Sequence, residues 1–291
     1  VSLPLPTSLT PSKVSAFTDC ALAFRFSAID HLPEPPTQAA VRGSLVHRAL
    51  QRMMWEHEPG QRTLDAGLDC LAGAVTEFAG DPEFVALGLD TEAAGALADA
   101  AAALVRNYFI LEDPNTVNAI GMELQLEATV GDLTLRGIID RLDLDSDGEL
   151  VITDYKTGRA PMIAHERRRL DGVRFYAFLC ERVLGRRPSR VQLLYLGDPL
   201  ALIATPSEQS VRGLERRTRA VWTAIERACV AEDFRPKPSR LCDWCAFKAY
   251  CPAFGGDPTL AVRAEQGDPT LTAPAEQAEP ARAVPTHPPA A

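Results

Sequence analysis

Between Gly137 and Gly158 the chain reads GIIDRLDLDSDGELVITDYKTG, two short apolar runs joined by an Asp/Gly turn. Side chains on a strand repeat every second residue, so Ile138, Asp140 and Leu142 are expected on one side of the first run. Leu150, Ile152, Asp154 and Lys156 are expected on one side of the second. Asp140, Asp154 and Lys156 then face the same space. Burying two carboxylates and an ammonium costs several kcal/mol per ion unless something compensates, and a divalent cation is the usual compensation. A fold for this chain has to bring those strand ends together and solve that electrostatic problem.

The remaining sequence is long and apolar enough, at 291 residues and 46% apolar, for one sizeable core with an insertion. No 18-residue apolar run is present and the start lacks the basic-then-apolar order of a signal peptide, so a cytoplasmic protein without a membrane span is expected. A formal charge of -9 argues weakly against nonspecific polyanion binding. Arginines nevertheless cluster, as at Arg167, Arg168, Arg169 and Arg174 and again at Arg212, Arg216, Arg217 and Arg219. Taken alone, such runs are most often a solvated face. Seven cysteines without a secretory signal point to thiols or metal ligands in a reducing compartment.

In chain order, SLTPSKVSAFTDCALAFRFS reads as one helix capped by Thr10 or Ser12, with Cys20 inside it. Val46, Leu50, Met53 and Met54 have helical spacing, and His47 points along the same inward side. A histidine there is either a satisfied core residue or a ligand. Gly43, one turn earlier, allows a close approach. Residues from about 60 to 113 read as an insertion of two or three helices without chemistry of its own. After Pro114 the period changes to 2, with Met122, Leu124 and Leu126 on one side and Glu123, Gln125 and Glu127 on the other. A helix over about 164–184, with a stripe of Leu170, Val173, Ala177, Cys180 and Leu184, separates the central runs from strands RVQLLYLG and ALIAT. A last helix spans about 207–231. This order predicts an α/β fold, a mixed central sheet with helices on its faces. From residue 255 to 291 the chain is too poor in apolar residues to fold and is expected to be a disordered tail.

Two acids and a lysine at strand ends suit metal-dependent hydrolysis of a phosphodiester. Hard cations prefer carboxylate oxygens, a bound metal acidifies water, and a lysine two residues after the second acid can orient that water or stabilise the oxyanion. On the D-x-K spacing alone, ordinary strands with exposed salt bridges remain the alternative. GSLVH with His47, GIIDRLD with Asp140 and ITDYKTG with Asp154 and Lys156 resemble motifs I to III of the RecB-like branch of the PD-(D/E)XK nuclease superfamily. The resemblance spans residues 9–254 and implies a restriction-endonuclease-like core. By it, His47, Asp140, Asp154 and the carbonyl of Tyr155 would ligate Mg²⁺ or Mn²⁺. Lys156 would be the catalytic lysine, with Glu123 at a further acidic position and Tyr176 on the helix after motif III. Relatives usually carry Gln four residues before that tyrosine, where this chain has Gly172. Arg159, Arg168, Arg169 and Arg174 would contact DNA, and a helicase or repair complex in the nucleoid would be the partner.

Near the C-terminal end LCDWCAFKAYCP spaces Cys242, Cys245 and Cys251 as C-x2-C-x5-C, and Cys20 is the best candidate for a fourth thiol. Alone, the set suits zinc as readily as iron and sulfur. The family resemblance implies a [4Fe-4S] cluster that clamps residues 234–254 to the first helix.

Overall fold

The computed structural model describes residues 2–160 and 166–260, and for residues 166–171 and 173 the backbone alone. Five strands form one sheet in chain order: β1 (Asn118–Val130), β2 (Leu133–Leu144), β3 (Leu150–Lys156), β4 (Arg190–Tyr195) and β5 (Leu200–Ala204). Neighbours run antiparallel except β3 and β4, which run parallel. The chain passes between those two through α7 (Glu166–Leu184), because a tight turn cannot join parallel strands. After β5 comes α8 (Glu208–Ala231), opened by a capping box at Ser207 and Ser210. The expected mixed sheet is therefore present; of the tail expected over 255–291, residues 255–260 are described and hydrogen-bonded as at Gly256 N–H to the Cys251 carbonyl, and the rest lies outside the described residues.

Both faces of the sheet are covered. On one, α7, α8 and α2 (Ala21–Ala28) contribute Phe24, Phe26, Phe175, Phe178 and Ile225 to a core with Ile139, Ile152 and Leu193 from the strands. On the other, α3 (Gln38–Glu56), α4 (Leu64–Phe78) and α6 (Thr91–Leu111) contribute Leu50, Met53, Leu71, Leu104 and Tyr108 to a second core that includes Tyr155 and Leu194. Burial on both faces is why β3 reads as a continuous apolar run, with every residue but Lys156 buried. The insertion consists of α4, the short α5 (Pro82–Ala86) and α6, started by side-chain caps at Thr63, Asp81 and Asp90. By length and composition α6 could cross a membrane. Here its stripe of Leu97, Ala101, Leu104, Val105 and Tyr108 is buried against α3 and α4.

Three sequence expectations are corrected. The N-terminal helix is two helices, α1 (Pro11–Asp19), capped by Thr10, and α2. They break at Cys20, whose extended backbone (φ -157°, ψ 110°) places its thiol at the junction rather than within a helix. On α7 the burial is carried by Phe175, Ala177, Phe178, Leu179 and Cys180, while Leu184 is exposed and the side chains of Leu170 and Val173 lie outside the described residues.

The third correction concerns alternation. Leu124 and Leu126 pack on the α7 side, but Met122 belongs to the core on the other face. Glu123 between them has φ +48°, a left-handed backbone that reverses which side its neighbours face. On β2 the change comes opposite: Ile139 and Leu142 pack on the α7 side, Arg141 points to the other face, and Ile138 is 45% exposed. The pleat thus inverts where Glu123 and Asp140 sit between the pairs Met122↔Arg141 and Leu124↔Ile139.

Gly137 lets α7 lie close on β2. A Cβ there would come 2.8 Å from Leu179 Cδ1 and 3.1 Å from Tyr176 Cε1, so the helix or its side chains would have to move. Gly137→Ala is expected to destabilise the protein by about 1–3 kcal/mol, the usual cost of overpacking, measured as a lowered midpoint in urea unfolding.

Candidate active site

The β2–β3 ladder ends at the pair Arg141↔Thr153. One step beyond, Asp140 and Asp154 stand opposite each other at the fork where the strands part. The backbone N–H of Tyr155 donates to Asp140 Oδ2 at 2.6 Å, so a side-chain carboxylate replaces a backbone carbonyl at the fork. Lys156 Nζ lies 2.5 Å from Asp154 Oδ2, an ion-pair contact without the alignment of a hydrogen bond, since that buried oxygen has no hydrogen-bond partner. Asp140, Asp154 and Lys156 share the wall of one cleft of about 1050 Å³ with Glu123, Gly172 and Tyr176.

Helix α3 brings His47 to the fork from the opposite face. Gly43 makes that approach possible, as its Cβ position lies 3.3 Å from Thr157 Oγ1 just past β3. His47 Nδ1 is 3.6 Å from Asp140 Oδ2 and 3.7 Å from Glu123 Oε1, and its ring rests edge-on against Tyr155. The ligand atoms of His47, Glu123 and Asp140 all lie within 4.8 Å of one another, a group that could hold one metal ion. The left-handed turn at Glu123 is what swings its carboxylate into this group. Asp154, expected from sequence among the ligands, stands in the same cleft as the partner of Lys156. The hydroxyl of Tyr155 points to the far face, and its N–H reaches Asp140.

Crowding of acids sets the protonation pattern. Burial and the facing Asp154 carboxylate push Asp140 up to about 7, against the pull of His47, the Tyr155 N–H and Lys156. Burial draws His47 down, but Glu123, Asp140 and Asp154 outweigh it and leave it raised. Lys156 is likewise raised, since Asp154 more than offsets its burial. Tyr176 is driven upward by burial and then by Asp154, Asp140 and Glu123, so its phenol stays a proton donor.

Sequence reasoning missed the far side of this site. Arg141 is buried completely and uses all five of its N–H groups. Nε donates to Asp143 at 2.8 Å, and the two terminal nitrogens donate to Tyr155 Oη at 2.8 Å, Tyr108 Oη at 3.2 Å, Thr153 Oγ1 at 3.0 Å and both oxygens of Glu112. Tyr108 and Glu112 come from the insertion that looked free of chemistry. The available signal was an arginine and a second aspartate inside an otherwise apolar run, DRLD.

The cationic candidates spread out. Arg159 is exposed just after β3, Arg174 lines a shallow pocket with Arg217 and Ser207 at the start of α8, and the side chains of Arg168 and Arg169 lie outside the described residues. The four cysteines do come together: Cys20, Cys242, Cys245 and Cys251 line a cavity of about 270 Å³ between α2 and the C-terminal segment. Backbone N–H groups of Lys237 and Ser239 point at Cys20 and Cys242 (3.5 and 3.3 Å). Burial first, and the other three thiols after it, raise Cys245. Cys70, Cys180 and Cys229 are buried apart from this group.

Residues 8–252 match the family model of the PD-(D/E)XK nuclease superfamily. The chain belongs to that superfamily. The order Asp140, then Asp154-Tyr155-Lys156, has the D and D-x-K letters of the pattern in the superfamily's name, with Ile139 where the name has proline. No curated protein matches the chain. Among solved structures, SSO0001 is 12% identical over 86% of this chain and 88% of its own, with a TM-score of 0.40. A protein named "Putative exonuclease" from Eubacterium rectale is 10% identical over 82% of this chain and 87% of its own, with a TM-score of 0.49. Neither overlay is close enough to add weight, and membership rests on the family match. PD-(D/E)XK nucleases use divalent metals, and the His47, Glu123 and Asp140 group supplies hard oxygen donors and an imidazole suited to one.

The raised Asp140 and His47 make a signed prediction for the metal-free protein. Each holds a proton in the folded state that the unfolded chain has already released, so stability falls as pH rises from about 4 toward 8. A cation replaces those protons, so Mn²⁺ should raise the melting temperature by several degrees at pH 8 and little at pH 5. Calorimetric scans at the two pH values, with Asp140→Asn as the flattened comparison, check this.

Proposed function

We propose that this chain is a Mg²⁺- or Mn²⁺-dependent exonuclease of the RecB-like branch, cutting single-stranded DNA ends in repair or recombination. The observation that carries the reading is the convergence of His47, Glu123 and Asp140 within 4.8 Å, beside the Asp154–Lys156 pair in one open cleft. In this reading His47, Glu123 and Asp140 hold the cation and Asp154 completes its charge neutralisation. The bound cation would acidify a water and neutralise charge on phosphorus. Lys156 orients the nucleophile or donates to the developing oxyanion, and Tyr176 keeps its proton to donate to a phosphate oxygen from the cleft wall. Arg159, Arg168, Arg169 and Arg174 track the phosphates of the strand. A helicase or repair complex would supply the single strand.

A second reading is a DNA-binding module with little turnover of its own. Gly172 favours it: this position on the cleft wall carries no side chain where the family resemblance implies a glutamine, and among the described residues no heavy atom lies within 4 Å of its Cβ position. One assay separates the two. With Mn²⁺ and end-labelled single strands, a nuclease releases product, and Asp154→Ala or Lys156→Ala should lower the rate by about 10²–10⁴-fold with binding retained. Binding without product across several divalent metals would select the module instead.

The four-cysteine cavity supports a [4Fe-4S] cluster as the clamp between the α1–α2 junction and the C-terminal segment. Thiolates on one zinc ion sit at about 2.3 Å from the metal and crowd together. Among the described residues no three of these thiols gather within 4.8 Å of one another. The N–H groups aimed at two of the sulfurs would stabilise thiolates bound to it. Protein purified without oxygen should carry iron, sulfide and visible absorption, and Cys251→Ser should lose these together with several degrees of melting temperature. Zinc in place of iron would overturn the assignment.

A further inference from the structure

Opposite the cleft, the end of the β2–β3 ladder is held by a closed set of buried polar groups with no place in the chemistry above. Arg141 and Thr153 form the last ladder pair, and Arg141 NH2 donates to Thr153 Oγ1 across it at 3.0 Å. Thr153 donates to Asp143, and Gln192 of β4 donates to Thr153 at 2.8 Å, which extends the lock to a third strand. Glu112, one residue beyond α6, accepts from both terminal nitrogens of Arg141 and from Tyr108 Oη at 2.7 Å. Arg141 also holds Tyr155 Oη, and the N–H of that tyrosine is the donor to Asp140. A continuous bonded path therefore runs from the insertion, through Glu112, Arg141 and Tyr155, to the carboxylate nearest His47.

We propose that Glu112 and Arg141 are positioning residues that set the spacing of the metal-binding carboxylates, making the helical insertion a working part of the active site. The inference rests on the metal-site reading above, and neither residue touches the cleft. Loss of the Glu112 charge weakens the bonds to both terminal nitrogens of Arg141, so its hold on Tyr155, and through it on Asp140, loosens. Groups bonded directly to a ligand commonly change metal affinity by about 10–100-fold; Arg141 and Glu112 act through Tyr155, one and two contacts further back, so a change of about 3–10-fold is expected.

The test uses the full chain with Glu112→Gln, Arg141→Lys and the milder Tyr108→Phe, which removes a single hydroxyl and covers the case in which a stronger variant does not fold. Mn²⁺ affinity is measured by titration calorimetry, folding by circular dichroism, and kcat and KM on single-stranded DNA at saturating Mn²⁺. The expected result is a folded Glu112→Gln protein with Mn²⁺ affinity lowered about 3–10-fold, kcat reduced and KM for DNA changed less than about threefold, with Tyr108→Phe intermediate. Affinity within about twofold of the parent in every folded variant would overturn the proposal, as would a parent protein that binds no Mn²⁺. A parent that binds Mn²⁺ tightly and cuts nothing removes the nuclease reading alone, because the affinity series still decides the role of Glu112.

Discussion

Two carboxylates face each other where β2 and β3 separate, and much of the molecule is arranged around keeping them there. Nothing in a β-ladder holds like charges together one step beyond its last hydrogen-bonded pair. The structure answers with a cation on one side and a clamp on the other. Lys156 and His47 sit in or beside the cleft with Asp140 and Asp154. Arg141 grips the end of the ladder from the far face. His47 and the partners of Arg141 come from the α3 and α6 layer, and Tyr176 comes from α7 on the other face, so the site needs a sheet covered on both sides. Helix α3 delivers the histidine from one face, while α7, seated closely on Gly137, delivers Tyr176 from the other.

The local inversion of the sheet follows from the same need. A strand of strict alternation would send Glu123 and Asp140 to sides fixed by their parity, with apolar neighbours following suit. The left-handed residue at Glu123 and the change of side on β2 uncouple the acids from that pattern. Apolar residues before and after the site can then pack into different cores while both carboxylates meet His47. A non-glycine residue at positive φ costs about 1–3 kcal/mol, and strain of this kind persists where the surroundings impose it. Its location at a metal-capable group connects that cost to function.

What could be read from the sequence was whatever repeats or whatever has a spacing. Strand and helix order, the capped start at Thr10, the helical insertion and the convergence of Asp140, Asp154 and Lys156 follow from short-range pattern, while His47 entered as a ligand only through the family resemblance. Three features did not. The break at Cys20 interrupts a run whose composition is helical on both sides, and what is found there is a thiol turned to a distant segment. The inversion at Glu123 depends on what covers each face, which no period within one strand reveals. Arg141 was invisible as a hub because an arginine in a strand reads as solvent-facing until the opposite layer is known to be present.

The Arg141 cluster also bears on how the insertion should be regarded. A set with one cation and two acids is expensive to bury, and burial with the Glu112 charge nearby raises Asp143 to about 6 even beside Arg141. Replacing such a set with apolar residues of similar volume is often neutral for stability. Stability alone therefore does not account for the set, and the geometry names another demand. Directed hydrogen bonds from all five N–H groups fix the orientation of a planar guanidinium in a way that apolar contacts cannot. Orientation is what passes through Tyr155 to Asp140. Helix α6 ends one residue before Glu112, so its length and register on α3 determine where that carboxylate sits. In this chain the packing of an alanine-rich helix and the separation of two acids at a strand fork are one structural variable.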